Sequence, residues 1–380
     1  MQPAIVINGR FLTQPMTGVQ RFAVEVIKAI DRLIDSGEYA SLDGHVEILA
    51  PAGAREFPLR HIPVRHCGIG RGYFWEQIEL PLHTRGCFLL NLCILGPLLV
   101  RHQMVVVHDA TVRALPWNFS PIFRAVYNFL IPNLCRRSRC AVTVSEFSRR
   151  ELSKWYGLDE GRMPVCFEGG DHLADVTPDR SIVDRLGLAD RKFFLTVGIG
   201  RNKNVENLIE AFHRAGLPDT ALVLTGKRYA WNGGMINPAN MDGVIQAGHV
   251  NDAELRALYE QALALTFPSR YEGFGLPPVE AMTCGCPVII SDQPALVEVA
   301  GDAALRCGPD DVDALAGLMR RVHDDAGLRT KMIGAGRARA AKFTWRATAR
   351  ILLDLSLSFA TGNEAGRASI ETRRISSVGT

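Results

Sequence analysis

The feature that most constrains this chain is a rhythm. Short apolar runs of strand length alternate with stretches of helical periodicity, and the alternation occurs in both halves. In the first half the apolar runs fall near 5–7, 46–49, 105–107, 141–144 and 165–167. In the second they fall near 193–197, 221–224, 244–246, 264–267 and 288–290. Between them, Phe22, Val26, Ile30 and Leu33 recur at helical spacing directly after Thr17-Gly18. Asn251 with Glu254, and Ser148 with Glu151, have the spacing of capping boxes. Apolar strands separated by amphipathic helices bury both faces of a parallel sheet, so the pattern predicts α/β architecture with doubly wound, Rossmann-like domains.

At 380 residues the chain exceeds one ordinary core and suits two domains of similar size. Periodicity is weakest from 169 to 190, around Pro178, which is the expected linker. The expected division is an N-terminal domain over 1–183, a second domain over 184–344, a helix over 345–360, and a flexible Gly-, Ser- and Arg-rich tail over 361–380. Two α/β lobes of this kind take their ligand in a cleft, at the carboxyl ends of the strands of both sheets.

Composition narrows the class. Hydrophobic content of 47% with 22% charged residues is that of a soluble globular protein. A net charge of +3 gives no general argument for nucleic acid, and none is expected as a partner. Arg136, Arg137, Arg139, Arg149 and Arg150 do cluster; the cluster reads first as a solvated face, with a surface for an anionic partner as the alternative. The nine cysteines lack zinc-ligand spacing, which predicts reduced, mostly buried thiols in a cytosolic protein. Met1 is followed almost at once by the first strand pattern, so no signal peptide is expected. The most apolar run, 88–100, is broken by Asn91, Gly96 and Pro97 and falls short of the about 20 residues a membrane span needs. It reads first as buried strand and loop, with a membrane-dipping segment as the alternative.

Chemistry concentrates where strands end. The strand near 193–197 leads into Gly198-Ile199-Gly200-Arg201-Asn202-Lys203-Asn204 and then a helix. Glycines there let amides approach a phosphate, and Lys203 adds a full charge. The next strand ends in Thr225-Gly226-Lys227, which sets a second lysine at the same sheet edge. Either turn by itself also reads as an ordinary surface connection. The strand near 264–267 leads into a loop with Glu272, a Gly273-Phe274-Gly275-Leu276 turn, Pro277-Pro278 and Glu280. A proline at the first helical position and Gly285 at the stop frame a short helix with Glu280 in its first turn. There a carboxylate either complements the helix dipole or accepts bonds from vicinal hydroxyls.

Taken together, these residues carry a resemblance. The run 268–290, with Glu272 and Glu280 bracketing seven residues, resembles the E-x7-E signature of the family-four retaining glycosyltransferases (glycosyl transferases group 1), whose fold is the two-Rossmann-domain type B. Segments 197–204, 224–227, 251–259 and 294–305 are similar to the same family. So, in the first half, are Thr17-Gly18-Val19-Gln20-Arg21, 106–109 and 143–151. The resemblance implies that Glu280 binds the ribose of a nucleotide. It implies that Glu272, with the amides of Phe274, Gly275 and Leu276, holds the donor sugar, and that Lys203 holds the pyrophosphate. His108 would touch the donor sugar from the other domain, and Gly18 would let the first loop approach the phosphates. The helix over 345–360 would cross back to the N-terminal domain. Many members carry an arginine directly after the Val-Gly of the first phosphate strand; here Ile199 stands there, and Arg201 is the alternative source of that charge.

The function these roles imply is transfer of mannose or another hexose from a nucleotide-sugar to a hydroxyl, with retained anomeric configuration. His108, Glu272 and Lys203 would be catalytic, Gly200, Arg201 and Lys227 would join donor binding, and no metal or other cofactor is expected. The expected donors are GDP-mannose, a UDP-sugar or a dTDP-sugar. The expected acceptor is a saccharide or a polyprenyl-diphosphate-linked saccharide of bacterial surface polysaccharide assembly, met in the cytoplasm or at the inner face of the membrane. A nucleotide-sugar epimerase on the same fold and an inactive sugar-nucleotide-binding subunit are the competing readings.

Overall fold

The computed structural model describes residues 4–226 and 241–360. Lys227 and the expected tail over 361–380 lie outside the described residues. The chain divides into two compact units, one of residues 1–169 with 345–380 and one of 170–344.

The first unit holds strands β1 (Ile5–Asn8), β2 (Val46–Ala50), β3 (Val64–His66), β4 (Phe88–Asn91), β5 (Gln103–Val106) and β6 (Cys140–Val142). Among the described residues they form one sheet in the order β3-β2-β1-β4-β5-β6, with every pairing parallel. β1 is central and wholly buried, as its uninterrupted apolar run requires. The Gly18–Asp35 helix lays Phe22, Val26, Ile30 and Leu33 into the core, all fully buried. The Trp345–Ala360 helix packs on that helix and on β4. Its Trp345 is fully buried and meets Phe22 edge-on at 5.8 Å, and Tyr39 Oη donates to Asp354 Oδ1 at 2.7 Å.

The second unit holds β7 (Lys192–Val197), β8 (Thr220–Thr225), β9 (Val244–Gly248), β10 (Ala264–Phe267), β11 (Val288–Ser291) and β12 (Leu305–Cys307). Their order is β12-β11-β10-β7-β8-β9, again parallel throughout. In both units the chain winds outward from its first strand and then resumes on that strand's other side. The connections therefore diverge between β1 and β4, and between β7 and β10. Ligands of open α/β sheets bind outside the carboxyl ends of the strands at such points.

Four expectations need correction. The boundary lies at 169/170, not 183/184. The stretch taken as linker folds onto the second unit: Gly170 N donates to Phe343 O at 3.2 Å, and Ile182 and Val183 of the Ser181–Arg185 helix are buried against the Asp252–Gln261 helix. Residues 165–167 form no ladder strand and make only an isolated bridge from Val165 to Thr143. β3 and β12 had no apolar run to announce them, because their outer positions face solvent. The Glu146–Tyr156 helix starts before the expected box, and Ser145, not Ser148, caps it by accepting from Ser148 N at 2.9 Å. The Asn251–Glu254 box is present in both directions.

None of the nine cysteines is joined in a disulfide, and seven are buried. Burial pushes the Cys284 thiol up to about 12, which leaves it a packing group rather than a nucleophile. Among the described residues no helix is long and apolar enough to cross a membrane.

Candidate functional site

The loops that follow β7 and β10 are tied together at the switch point of the second unit. Arg270 N donates to Asn202 O at 2.8 Å, and Ser269 Oγ lies 2.8 Å from the same carbonyl. Asn202 Nδ2 returns a bond to Tyr271 O at 3.1 Å, and Asn204 Nδ2 reaches Pro268 O at 3.2 Å. Asn204 takes the left-handed conformation that ends the Arg201–Lys203 turn and opens the Val205–Ala215 helix. This scaffold puts Lys203 Nζ 2.7 Å from Glu272 Oε1. The ammonium also lies over the buried ring of Phe267, 4.6 Å from its centroid. Asn202 Nδ2 and Ser269 Oγ donate to the same Glu272 oxygen. The pair is neither sealed nor loose, with side chains 19% and 13% exposed. A charge-assisted bond of this kind, held by two further donors, fixes both groups at the mouth of the sheet.

The loop then turns into the Leu276–Thr283 helix. Gly275 makes that turn at φ +110°, and a Cβ there would lie 2.6 Å from Leu296 Cδ2, so the position admits little but glycine. Both prolines sit inside the first turn and remove two N–H groups from it. The expectation for Glu280 is corrected here. The helix begins at Leu276, one residue before Pro277, so Glu280 falls past the first turn, which carries no acidic residue. It is buried, with its carboxylate held from two sides. Tyr259 Oη donates to Oε2 at 3.1 Å, and His172 Nε2 lies 3.2 Å from Oε1. Burial, and then the facing Glu280 carboxylate, raise the Tyr259 phenol well above its usual range, so it remains a donor. His172 reaches Glu280 because Gly170 lets the 171–173 turn lie against the helix; a Cβ at Gly170 would be 2.4 Å from Val279 Cγ1.

The other expected donor residues fall nearby. Gly200 caps the Arg201–Lys203 turn and Arg201 is exposed beside Lys203. Phe274 is buried edge-on against Phe343 at 5.8 Å, and Leu276 is buried at the helix start. Their backbones, not their side chains, line the turn next to Glu272. Sequence reasoning missed Asn202, Ser269, Tyr259 and His172. Ser269 stands three residues before Glu272, and Tyr259 closes a segment already singled out, but only the fold shows what they touch. His172 lay in the supposed linker, where the Gly169-Gly170 pair was the sole sign of a close approach.

His108 and Gly18 belong to the first unit. Gly18 is the exposed first residue of the Gly18–Asp35 helix, with open space where a Cβ would stand. His108 is buried, 4.7 Å edge-on from Phe22. Its Nδ1 lies 3.2 Å from Glu168 Oε1 and its Nε2 lies 3.1 Å from Leu92 O. Burial opposes charging the ring, but the bond and charge of Glu168, with Leu92 O, outweigh it and raise the His108 pKa above its ordinary value. With both ring nitrogens on acceptors, His108 is a positioned, cation-favouring ring.

The switch point of the first unit is built otherwise. Asn8 Nδ2, at the end of β1, donates to Asn91 Oδ1 at 2.9 Å, at the end of β4, and to Glu76 Oε1 at 2.9 Å. Arg10 Nε donates to the same Glu76 oxygen at 2.8 Å. Asn91 Nδ2 donates to Gln103 Oε1 at 2.9 Å. Asn8, Arg10, Glu76 and Asn91 are all buried. Glu76 enters on a π-helical turn, Trp75–Glu79, that follows Gly72–Phe74.

Comparison with known proteins finds relatives in sequence and in fold. Residues 180–339 match the family profile described as Glycosyl transferases group 1. The chain is 32% identical over 227 residues to the O-antigen chain mannosyltransferase B of Escherichia coli, an alignment covering 55% of this chain and 58% of that protein. The chain thus spans little more than half the length of the first curated relatives it matches. Among solved structures, a sucrose-phosphate synthase from Thermosynechococcus elongatus superposes with a TM-score of 0.72 at 20% identity, over 96% of this chain and 100% of that one. An Anabaena protein in complex with UDP and glucose superposes with a TM-score of 0.69 at 17% identity, over 94% and 99%. The fold is that of the type-B glycosyltransferases, with two Rossmann-like α/β domains.

Proposed function

We propose that this chain, whose residues 180–339 belong to the group 1 glycosyl transferases, is a glycosyltransferase that moves a hexose from a nucleotide-sugar to a hydroxyl of a saccharide or lipid-linked saccharide, with retained configuration. One observation carries the reading: a lysine and a glutamate held 2.7 Å apart at the carboxyl ends of β7 and β10, where the second sheet changes winding direction. The similarity to an O-antigen chain mannosyltransferase favours mannose and surface polysaccharide. An Anabaena protein of this fold is in complex with UDP and glucose, so UDP stands beside GDP and dTDP as a nucleotide to test.

In this reading the donor diphosphate meets Lys203 and Arg201 and the amides of 274–276. As the bond between the anomeric carbon and the diphosphate oxygen breaks, negative charge gathers on the leaving group and these cations stabilise it. No metal is assigned to that role. Glu272 accepts from hydroxyls of the sugar while its bond to Lys203 couples sugar to phosphate. Glu280, braced by Tyr259 and His172, accepts from the ribose. The acceptor oxygen forms the new bond on the face the diphosphate leaves, and its proton passes to the departing phosphate oxygen. The two glutamates therefore both serve the donor and are not an acid–base pair of glycosidase type. His108 has a positioning role on the first unit.

The test is a thermal-shift and calorimetric screen against GDP, UDP and dTDP, followed by turnover of the sugar of whichever nucleotide binds. One nucleotide is expected to raise the unfolding temperature, and Glu280→Ala to shrink the shift at the same nucleotide concentration. Product anomeric configuration, read by NMR, checks retention. A chain that binds none of the three, or whose Glu280→Ala variant binds as tightly, sinks the reading.

A further inference from the structure

We propose that the first unit binds a small anionic sugar, a monosaccharide bearing a carboxylate or a phosphate, in a cavity lined by the 51–63 connection and β3. Parallel strands are usually joined through a helix, but the connection from β2 to β3 contains none. A long connection without secondary structure is uncommon in a compact unit and is often functional. This one is held at both ends. Arg55 N donates to Leu12 O at 3.2 Å, and Arg55 Nη1 donates to Gln14 O at 2.8 Å. At the other end the Asp31 carboxylate accepts from the backbone N–H groups of Arg60 at 3.0 Å, His61 at 2.8 Å and Ile62 at 3.2 Å. The anchored connection and β3 line a cavity of about 310 Å³, a volume at the low end of small-molecule sites.

Three polar side chains on the cavity define the occupant. Arg55 Nη2 is buried and has no hydrogen-bond partner among the described residues. A buried donor left unpaired is costly, and an anionic oxygen satisfies it with a charge-assisted bond. His66, the last residue of β3, sets its Nδ1 3.3 Å from Pro51 O. A carbonyl only accepts, so Nδ1 carries the proton and Nε2 of the neutral ring is an acceptor. Glu56 adds the carboxylate of an exposed residue to the same cavity. One cation and two acceptors suit a molecule with one anionic group and several hydroxyls. The rest of the wall is apolar, with Leu59, the buried Ile62, and Phe57, whose ring is braced edge-on against the buried Phe11 at 6.2 Å. An inorganic anion would leave the acceptors and this wall unused, and an uncharged sugar would leave the guanidinium nitrogen unpaired. The inference concerns the first unit alone and stands whether or not the transferase reading holds.

Calorimetry on the full chain tests it, with glucuronate, glucose 6-phosphate, glucose, benzoate and inorganic phosphate as separate ligands. At least one of the two anionic sugars should bind about tenfold more tightly than the other three, the scale of one charged hydrogen bond. Arg55→Gln should weaken that binding about tenfold. Leu59→Asp, which sets a carboxylate in the cavity wall, should abolish it, and it carries the test where the Arg55 variant fails to fold. Circular dichroism checks the fold of both. Binding of neither anionic sugar, binding of glucose or benzoate as tightly, or a folded variant of either kind that binds as before overturns the proposal. So does inorganic phosphate bound as tightly as glucose 6-phosphate, which would reduce the cavity to an ion site.

Discussion

The two units share a winding order but treat the equivalent point in opposite ways. In the second, the crevice between β7 and β10 keeps a Lys203–Glu272 pair that solvent can still reach. In the first, the point between β1 and β4 is filled by Asn8, Asn91, Glu76 and Arg10, which are buried and bonded to one another through Asn8 Nδ2 and Glu76 Oε1, while Asn91 also bonds Gln103 and Glu76 Oε2 has no hydrogen-bond partner among the described residues. A doubly wound sheet thus supplies a place for a ligand, but side chains decide whether that place is left open or closed by the protein's own polar groups. The closed version is a cross-link between strand ends; the open version is a charged pair available to a phosphate and a sugar.

The largest expected effect comes from breaking the closed side. Glu76→Ala leaves Arg10 buried without its carboxylate and should cost about 3–5 kcal/mol, seen as faster hydrogen exchange of β1 and β4 and a lower denaturation midpoint. Nucleotide affinity should stay within about twofold, since additivity holds between separate sites. If stability is retained and turnover disappears instead, the first switch point is a ligand site too and the contrast fails.

On the open side, Lys203→Ala should lower kcat by about 10²–10³-fold, the loss typical of one donor to a developing oxyanion, while Lys203→Arg keeps part of the rate. Steady-state kinetics with a fixed acceptor would show it, and an unchanged kcat would remove Lys203 from the mechanism. Glu280→Ala should weaken nucleotide binding by about tenfold, the scale of one lost charged hydrogen bond, and Tyr259→Phe by less, because it only steadies the carboxylate. Calorimetry separates the two.

The smallest effect is in pH. The His108 pKa is raised in the folded state, so its pairing with Glu168 contributes fully below the unfolded value of about 6.5. That contribution is lost as pH rises through the folded value. Stability of the first unit should therefore decline slightly from near-neutral to alkaline pH, and Glu168→Gln should flatten the decline. A steeper slope in the variant would contradict the assignment.

Much of the fold is legible in the sequence because long apolar strands and 3.6-residue periodicity are local signals. The runs at 193–197, 221–224 and 264–267 mark their strands, and Phe22 to Leu33 mark their helix. Short edge strands such as β3 and β12 are not, since a three-residue strand half in solvent has no apolar run. Of the site, Lys203, Glu272 and Glu280 stand out because each follows a strand next to glycine or proline. The donors that hold the two carboxylates come from 3 to 108 positions away and carry no local mark.

By itself, then, the sequence determined the two α/β units, the strand ends where charge gathers, and the identity of the charged groups. Tertiary structure alone decided that Lys203 meets Glu272, that Glu280 is gripped by Tyr259 and His172, that residues 170–183 belong to the second unit, and that one crevice is open and the other filled. The physical reason is that periodicity and turn chemistry act between neighbours in the chain. Hydrogen bonds and desolvation act between neighbours in space, and those the winding of the sheets must first bring together.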